Sequence, residues 1–562
     1  MLPIINYMKG CKMITMCGNR TLNCAFLSLL LMACVLPMSS VAAPTGKKAI
    51  LGYGWEFLAI GTEDVYRNRE KLAAVGYDGY LLPIDRQDAD GKLVRARDLL
   101  ADPAWREADF ERSVVLLRDC LALPGLKESL AFGFLIPAKR LAWTDDAAWA
   151  NASSNAAVFA RLARKTGFRG VCLDHEDYTK QSQFRLRDGD PDYDEACRLA
   201  RQRGRQFFGA FFAEFPEARL LTFWLFTEWR EIVRAHDVAQ AARELKGDLW
   251  HAFLNGLLDV VPPTAKFVDG NETTGYKTVG GPDAFRAAAY ETIRDVLPLV
   301  APENRVRYTS GVSVGFGQYI DSYTLDEKSS WSIPSLGGSK LLAFQRNLLA
   351  ATAIADDYVW VYGERGQTID WGRTDHRWLK FQTWESQLPG FGRMIRLASG
   401  GMDAARALVS EGAMTNLVAN SSCDGDGAAV PSGFTTWTRE KNAPADRFVR
   451  DPHEGFSAPG CLRVNGVGSF TVTADGLRPG EALYMRVRAK GRHPSVTVGW
   501  KRDGQWNWKI PVETFLSRAD ADAASWRTFE GIVVVPENIN GLGFILGSTD
   551  GTVLYDDVEI YR

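Results

Sequence analysis

Metal-binding signatures are missing from this sequence. Its six histidines are scattered through 562 residues, and no CxxC or HExxH spacing occurs, so a transition-metal site has no ligand set to build on. Charge of one sign is missing as well. Lysine and arginine number 66 against 68 aspartates and glutamates, interspersed to a net −2, which gives no support for a nucleic-acid partner. No Gly-rich phosphate turn follows the first apolar run, which argues against a nucleotide-binding open sheet. There is no internal repeat and no low-complexity linker. Cysteine is sparse beyond the N-terminus: Cys11, Cys17, Cys24 and Cys34 precede the globular part, leaving Cys120, Cys172 and Cys197 as expected buried thiols. Cys423 and Cys461 could pair in an oxidising compartment.

The first 43 residues read as an export signal. Lys9, Lys12 and Arg20 precede the apolar "CAFLSLLLMACVLPM", and small Ser40 and Ala42 suit cleavage just after them. That core is too short for a stable membrane span. The expected location is therefore periplasmic, cell-surface or extracellular, with lipidation at Cys34 as the alternative. The oligomeric state is not legible.

From Lys48 to about Gly400 short apolar runs alternate with amphipathic stretches. Strand candidates are "AILGYGWEFL" from Ala49, "YDGYLLPI" from Tyr77, "SLAFGFLIP" from Ser129 and "FRGVCLDHE" from Phe168. They continue with "ARLLTFWLF" from Ala218, "AKFVDGNE" from Ala265, "RVRYTSGVS" from Arg305 and "YVWVYGE" from Tyr358. Segments such as "SNAAVFARLARKTG" between them carry apolar residues at three- and four-residue spacing and end on glycine, as helices do. Eight strands alternating with helices predict an α/β fold, a (β/α)8 TIM barrel over residues 44–410. Beyond it short alternating segments predict an all-β, jelly-roll-like sandwich over 411–562.

Chemistry in such a barrel gathers at the C-terminal ends of the strands. Those ends carry Tyr53, Trp55 and Glu56; Asp85; Asp174, His175, Glu176 and Asp177; Trp224, Glu228 and Trp229; Asp269, Asn271 and Glu272; and Trp360, Tyr362, Glu364 and Trp371. Taken singly, each carboxylate suits a helix cap and each ring suits lid packing. Together, acids interleaved with flat rings are what glycosidic cleavage needs. One acid protonates the leaving oxygen, a second carboxylate attacks or stabilises the oxocarbenium-like centre, and rings grip the sugar. Asp174 and Glu176 alternate onto one face, so each raises the other's pKa. Glu176 is the expected proton donor, with Asp174 tuning it and Glu272 or Glu364 as the second carboxylate. Tyr53, Trp55, Trp224, Glu228, Asp269, Trp360 and Trp371 are the expected substrate contacts. No catalytic cofactor is expected.

"GVCLDHE" resembles the fourth-strand signature of family 18 chitinases and their relatives, D-G-x-D-x-D-x-E. Gly170, Asp174 and Glu176 match, while Arg169 and Cys172 stand where that family has its earlier aspartates. The resemblance implies a barrel glycoside hydrolase with Glu176 as general acid and Asp174 as its supporting aspartate. The C-terminal region, from "NLVANSSCDGDGAAVPSGFTTW" to "LYDDVEIYR", resembles the carbohydrate-binding jelly rolls of secreted polysaccharide hydrolases. That likeness implies a structural calcium near Asp556 and Asp557, with Trp500, Trp506 and Trp508 as a stacking surface. Two other classes stay open: a non-catalytic glycan-binding protein on the same barrel, and a metal-dependent barrel hydrolase, for which the histidines are poorly placed.

Overall fold

The computed structural model describes residues 48–101, 104–176, 182–229, 232, 235–424, 430–516 and 523–562. Residues 1–43, read above as an expected export signal, and Asp177 lie outside them. The first half is built on β1 (Ala49–Gly54), β2 (Gly79–Leu82), a small hairpin of β3 (Asp85–Gln87) and β4 (Leu93–Arg95), β5 (Leu130–Phe134) and β6 (Gly170–Asp174). It continues with β7 (Arg219–Thr222), β8 (Lys266–Asp269), β9 (Val312–Val314), β10 (Phe316–Tyr319) and β11 (Tyr358–Gly363).

Nine of these strands form one parallel, barrel-like and nearly closed sheet in the order β10-β11-β1-β2-β5-β6-β7-β8-β9. The strands are buried almost throughout, as expected when helices cover one face of a parallel sheet and packed side chains fill the other. The two ends of that order are neighbours in the chain. Gly315 alone separates β9 from β10; β9 pairs with β8, and β10 pairs with β11. Gly170 shows how tightly the strands meet: a Cβ there would stand 1.9 Å from the Arg219 carbonyl oxygen, so only glycine lets β6 lie against β7.

The helices follow their sequence punctuation. The Asp145 side chain accepts the Ala148 N–H at 3.0 Å to cap the helix Asp146–Thr166, which stops at Gly167 with φ 98°. Asp192 caps Tyr193–Glu214 in the same way. One expected strand differs. In "RVRYTSGVS", Arg305–Gly311 is a helical turn and only Val312–Val314 is strand. The alternation that reads as a strand places a single residue, Tyr308, in the core, against Phe226 and Phe267, and leaves Val306 80% exposed. The segment after it begins with a further strand, β10.

After the helix Phe391–Ser410, antiparallel strands take over. They are β12 (Phe434–Trp437), β13 (Phe448–Asp451), β14 (Cys461–Asn465), β15 (Gly468–Asp475), β16 (Ala482–Gly491) and β17 (Pro494–Arg502). The last are β18 (Gln505–Trp506), β19 (Glu513–Leu516), β20 (Ala523–Val534), β21 (Gly541–Ser548) and β22 (Thr552–Tyr561). One sheet runs β12-β15-β21-β17-β18, with β19 on β17; the other runs β13-β14-β22-β16-β20. Their inner faces form a separate apolar core that includes Phe470, Val498, Phe544 and Tyr555. A small cluster of Leu397, Leu408, Met414 and Tyr484 joins the last barrel helix to the sandwich, and Lys47–Arg562 forms one compact unit. All five cysteines of the described residues are free thiols, Cys423 and Cys461 included. Among the described residues no helix is long and apolar enough to cross a membrane.

Candidate active site

A cleft of about 1100 Å³ opens over the C-terminal ends of the barrel strands. Eight of the expected site residues line it: Tyr53, Trp55, Asp174, Glu176, Trp224, Glu272, Trp360 and Glu364. These come from the first, fourth, fifth, sixth and eighth strand positions read from the sequence. Such a convergence is the pattern that a single helix cap or salt bridge does not produce.

Three of its carboxylates form one electrostatic group. Asp174 ends β6 and is 6% exposed, and its Oδ1 accepts the backbone N–H of Glu176 at 2.8 Å. This turn fixes where Glu176 leaves the strand. Burial, then the neighbouring Glu176 charge, raises the Asp174 pKa to about 7. Glu272 sits across the floor. Burial first, then Glu176 and Asp174, push its pKa well above the ordinary carboxylate range, with the nearby Tyr276 hydroxyl acting against the shift. Beyond this interaction with each other, the buried Glu272 Oε2 and Tyr276 hydroxyl have no hydrogen-bond partner among the described residues.

The local sequence explains how Glu272 reaches this position. Asp269, buried at the end of β8, accepts the Thr227 hydroxyl at 2.7 Å and the Asn271 N–H at 3.0 Å on the same oxygen. Asn271 takes a left-handed conformation with φ 44°, its amide donating to the Gly315 carbonyl at 3.1 Å. That turn starts the short helix Glu272–Lys277, so Glu272 and Tyr276 share a face one turn apart. Asp269 thus positions the site from behind rather than lining it.

Glu364 belongs to a different group. It accepts the Tyr362 hydroxyl at 3.2 Å, and its N–H and that of Arg365 donate to the buried Asp321 at 2.7 and 3.0 Å. Burial raises the pKa of Glu364, and that of Asp321 to about 6. Its interactions run to tyrosines and Arg365, not to Asp174 or Glu176.

The walls are aromatic. Trp360 is fully buried under the cleft, stacked on Phe223 at 4.4 Å, with its indole N–H on the Gly270 carbonyl at 2.9 Å. Tyr276, Tyr319 and Tyr362 lie within 5.2–6.1 Å of one another in near-parallel planes. Trp331 closes one rim beside Tyr319, and Trp378 packs on Trp55 at 5.3 Å at the other. Tyr276, Tyr319, Trp331, Arg365, Arg377 and Trp378 were absent from the expected set. Tyr276, four residues after Glu272 in a helical register, carried the one local signal that could have found it.

Two further expected contacts lie off the cleft lining. Glu228 holds His175, whose Nε2 is 3.0 Å from its Oε2 while the imidazole stacks on Trp250 at 4.0 Å. Burial lowers the His175 pKa, but Glu228, with Asp174 and Asp248, more than offsets this and leaves it raised. Trp371 is buried, and its N–H donates to Glu56. Glu56 also accepts the Thr368 N–H and hydroxyl at 2.7 and 2.6 Å, and burial sets its pKa at about 7. Asp85 is likewise engaged in structure, accepting the Thr62 N–H at 2.7 Å.

In the sandwich, Trp500 points inward with Val496 and Val498 and is 1% exposed, as its register on β17 requires. Trp506 and Trp508 are outside, stacked at 5.0 Å and 14° and exposed by 37% and 64%. A Cβ at Gly543 would stand 2.2 Å from the Trp506 ring, so the glycine is what lets that indole lie across the sheet. Asp556 accepts the Phe456 and Asp557 N–H groups at 2.6 and 2.8 Å, and Asp557 accepts the Ser457 hydroxyl at 2.6 Å. Among the described residues no cluster of three or more His, Cys, Asp or Glu could hold a metal ion.

No family model matches the chain, and no curated protein matches it. Solved structures match over about a quarter of its length. The enzymatically active domain of bacteriophage CBA120 tailspike protein 4 is 12% identical over 23% of this chain and 19% of its own, with a TM-score of 0.20. A Clostridium thermocellum endo-1,4-β-xylanase fragment, comprising family 22 carbohydrate-binding and family 10 hydrolase modules, is 14% identical over 23% and 26%, at 0.19. A family 61 carbohydrate-binding module in complex with β-1,4-galactotriose is 9% identical over 26% and 99%, at 0.20. The chain thus spans a fifth to a quarter of the first two. Similarity at this level carries no argument about the chain's activity.

Proposed function

We propose that this chain is an exported glycoside hydrolase whose cleft cleaves a poly- or oligosaccharide by carboxylate acid catalysis. The observation that carries the reading is the grouping of Asp174, Glu176 and Glu272 on the floor of an aromatic-walled cleft at the strand ends. With β9 and β10 counted as one strand interrupted at Gly315, the sheet is a (β/α)8 barrel. Residues 44–410 then form the catalytic part and 411–562 an accessory sandwich.

The division of labour follows from burial and charge. A general acid must still hold its proton near neutral pH, and burial together with the Glu176 and Asp174 charges pushes the Glu272 pKa well above the ordinary carboxylate range. Glu272 donates to the glycosidic oxygen. Glu176, at the end of the turn fixed by Asp174, is the ionised carboxylate that attacks the anomeric carbon or activates water against it. These roles reverse the sequence expectation, which gave Glu176 the proton. Asp174 positions Glu176 and adds to the field that keeps Glu272 protonated. Tyr53, Trp55, Trp224 and Trp378 supply apolar faces for the sugar rings. The Trp506–Trp508 pair supports a second, non-catalytic grip on glycan by the sandwich.

Kinetics of single amide variants test the assignment. Glu272→Gln and Glu176→Gln should each lower kcat/KM by at least 10³-fold with the melting temperature kept, whereas Glu364→Gln should act mainly on KM. Full activity in Glu272→Gln would refute the assignment.

A further inference from the structure

The cleft's rim carries charge of the opposite sign to its floor, and only part of it is tied up in ion pairs. Arg373, in the loop over the rim, is clamped by Asp375 at 2.7 Å and by Asp64. Arg365 and Arg377 line the cleft, are exposed, and make no ion pair with any described carboxylate. Arg377 lies over the Trp378 ring at 4.8 Å, and that ring packs on Trp55, so the guanidinium has an aromatic support and makes no ion pair with a described carboxylate. Arg365 is held by its backbone N–H on Asp321 at 3.0 Å. On the facing rim, the Lys277 ammonium sits over Trp331 at 5.1 Å.

A guanidinium stacked on an indole, with no ion pair to a described carboxylate, is a fork for a planar or tetrahedral oxyanion. A neutral sugar has no group that needs it. We propose that the cleft selects glycans bearing an anionic substituent, a uronic carboxylate or a sulfate ester, gripped between Arg365 and Arg377. This rests on reading the cleft as a glycan site. The floor does not oppose such a ligand as strongly as its count of carboxylates implies, because burial keeps Glu272 and much of Asp174 protonated near neutral pH.

The test uses the full chain and two matched pairs of polymers. Polygalacturonate is compared with its carboxyl-reduced form, and carrageenan with its desulfated form, by affinity electrophoresis and calorimetry. The charged member of one pair should bind at least tenfold more tightly than its neutral partner, and which pair does so separates carboxylate from sulfate. In Arg365→Gln/Arg377→Gln that preference should collapse to within about twofold, with Lys at both positions restoring part of it. Both side chains are exposed, so an unchanged melting curve checks that the variant folds. Equal binding of both members, binding of neither pair, or a preference surviving in the double Gln variant would overturn the inference. Product formation is scored separately. Preference without cleavage removes the hydrolase reading and keeps this one, while cleavage of neutral members alone does the reverse.

Discussion

Replacing Asp174 by asparagine should stabilise the protein at alkaline pH while lowering its activity. In the fold the Asp174 carboxyl titrates at about 7 instead of near 3.8, mainly through burial and then through Glu176. A raised pKa means that the folded state holds the proton more tightly than the unfolded chain. The stabilising contribution is therefore complete below about 3.8 and is lost as pH rises through 7. At 1.36 kcal/mol per pH unit, ionised Asp174 costs the fold at most about 4 kcal/mol above neutrality. Water entering the cleft and the coupled titration of Glu272 reduce the measurable part to roughly 1–3 kcal/mol. Asparagine keeps an oxygen for the Glu176 N–H and carries no charge. With about 2.1 cal/mol/K of unfolding entropy per residue over about 360 barrel residues, 3 kcal/mol is roughly 4 °C in Tm. Thermal unfolding followed by tryptophan fluorescence at pH 4, 6 and 8 should show the variant's advantage growing from about zero to a few degrees. An advantage independent of pH would refute the electrostatic account of the floor.

Two other perturbations have definite signs. Glu56→Ala strands the Trp371 N–H and the Thr368 N–H and hydroxyl, at about 1–3 kcal/mol each. Because wild-type Glu56 titrates at about 7 rather than 4.5, its stabilising share falls as pH rises through 7, so denaturant melts should show a larger loss at pH 5 than at pH 8. Trp506→Ala with Trp508→Ala removes the exposed ring pair of the sandwich. Pull-down on insoluble glycan should fall about tenfold or more, while turnover of a short soluble substrate stays unchanged.

Much of this architecture was legible because its signals are local. Short apolar runs alternating with helical periodicities mark seven of the eight strand positions, and the acids after "GVCLD" and "KFVD" mark two ends of the cleft. Misreading Arg305–Gly311 came from a short alternating pattern on an element that buries only Tyr308. The site residues that stayed hidden depend on long-range placement. Asp321 lies two residues past β10, a strand absent from the sequence expectation, yet it organises Glu364 and Arg365 from more than 40 residues away. Trp371 looks like a platform in sequence, and only the fold reveals that its N–H is bound to Glu56. Nor can spacing show that Glu272 is raised by burial and by the Glu176 and Asp174 charges together, because that depends on β6 and the helix after β8 meeting across the barrel.

The central claim is hydrolysis by the Glu176–Glu272 pair, and one measurement meets it directly. Mature protein incubated with a panel of neutral and acidic glycans, followed by proton NMR, should release new anomeric signals from at least one substrate. The account predicts that Glu272→Gln, folded to the same melting temperature, releases none on that substrate. Equal release by the variant, or no release by the wild type from any glycan, would contradict it.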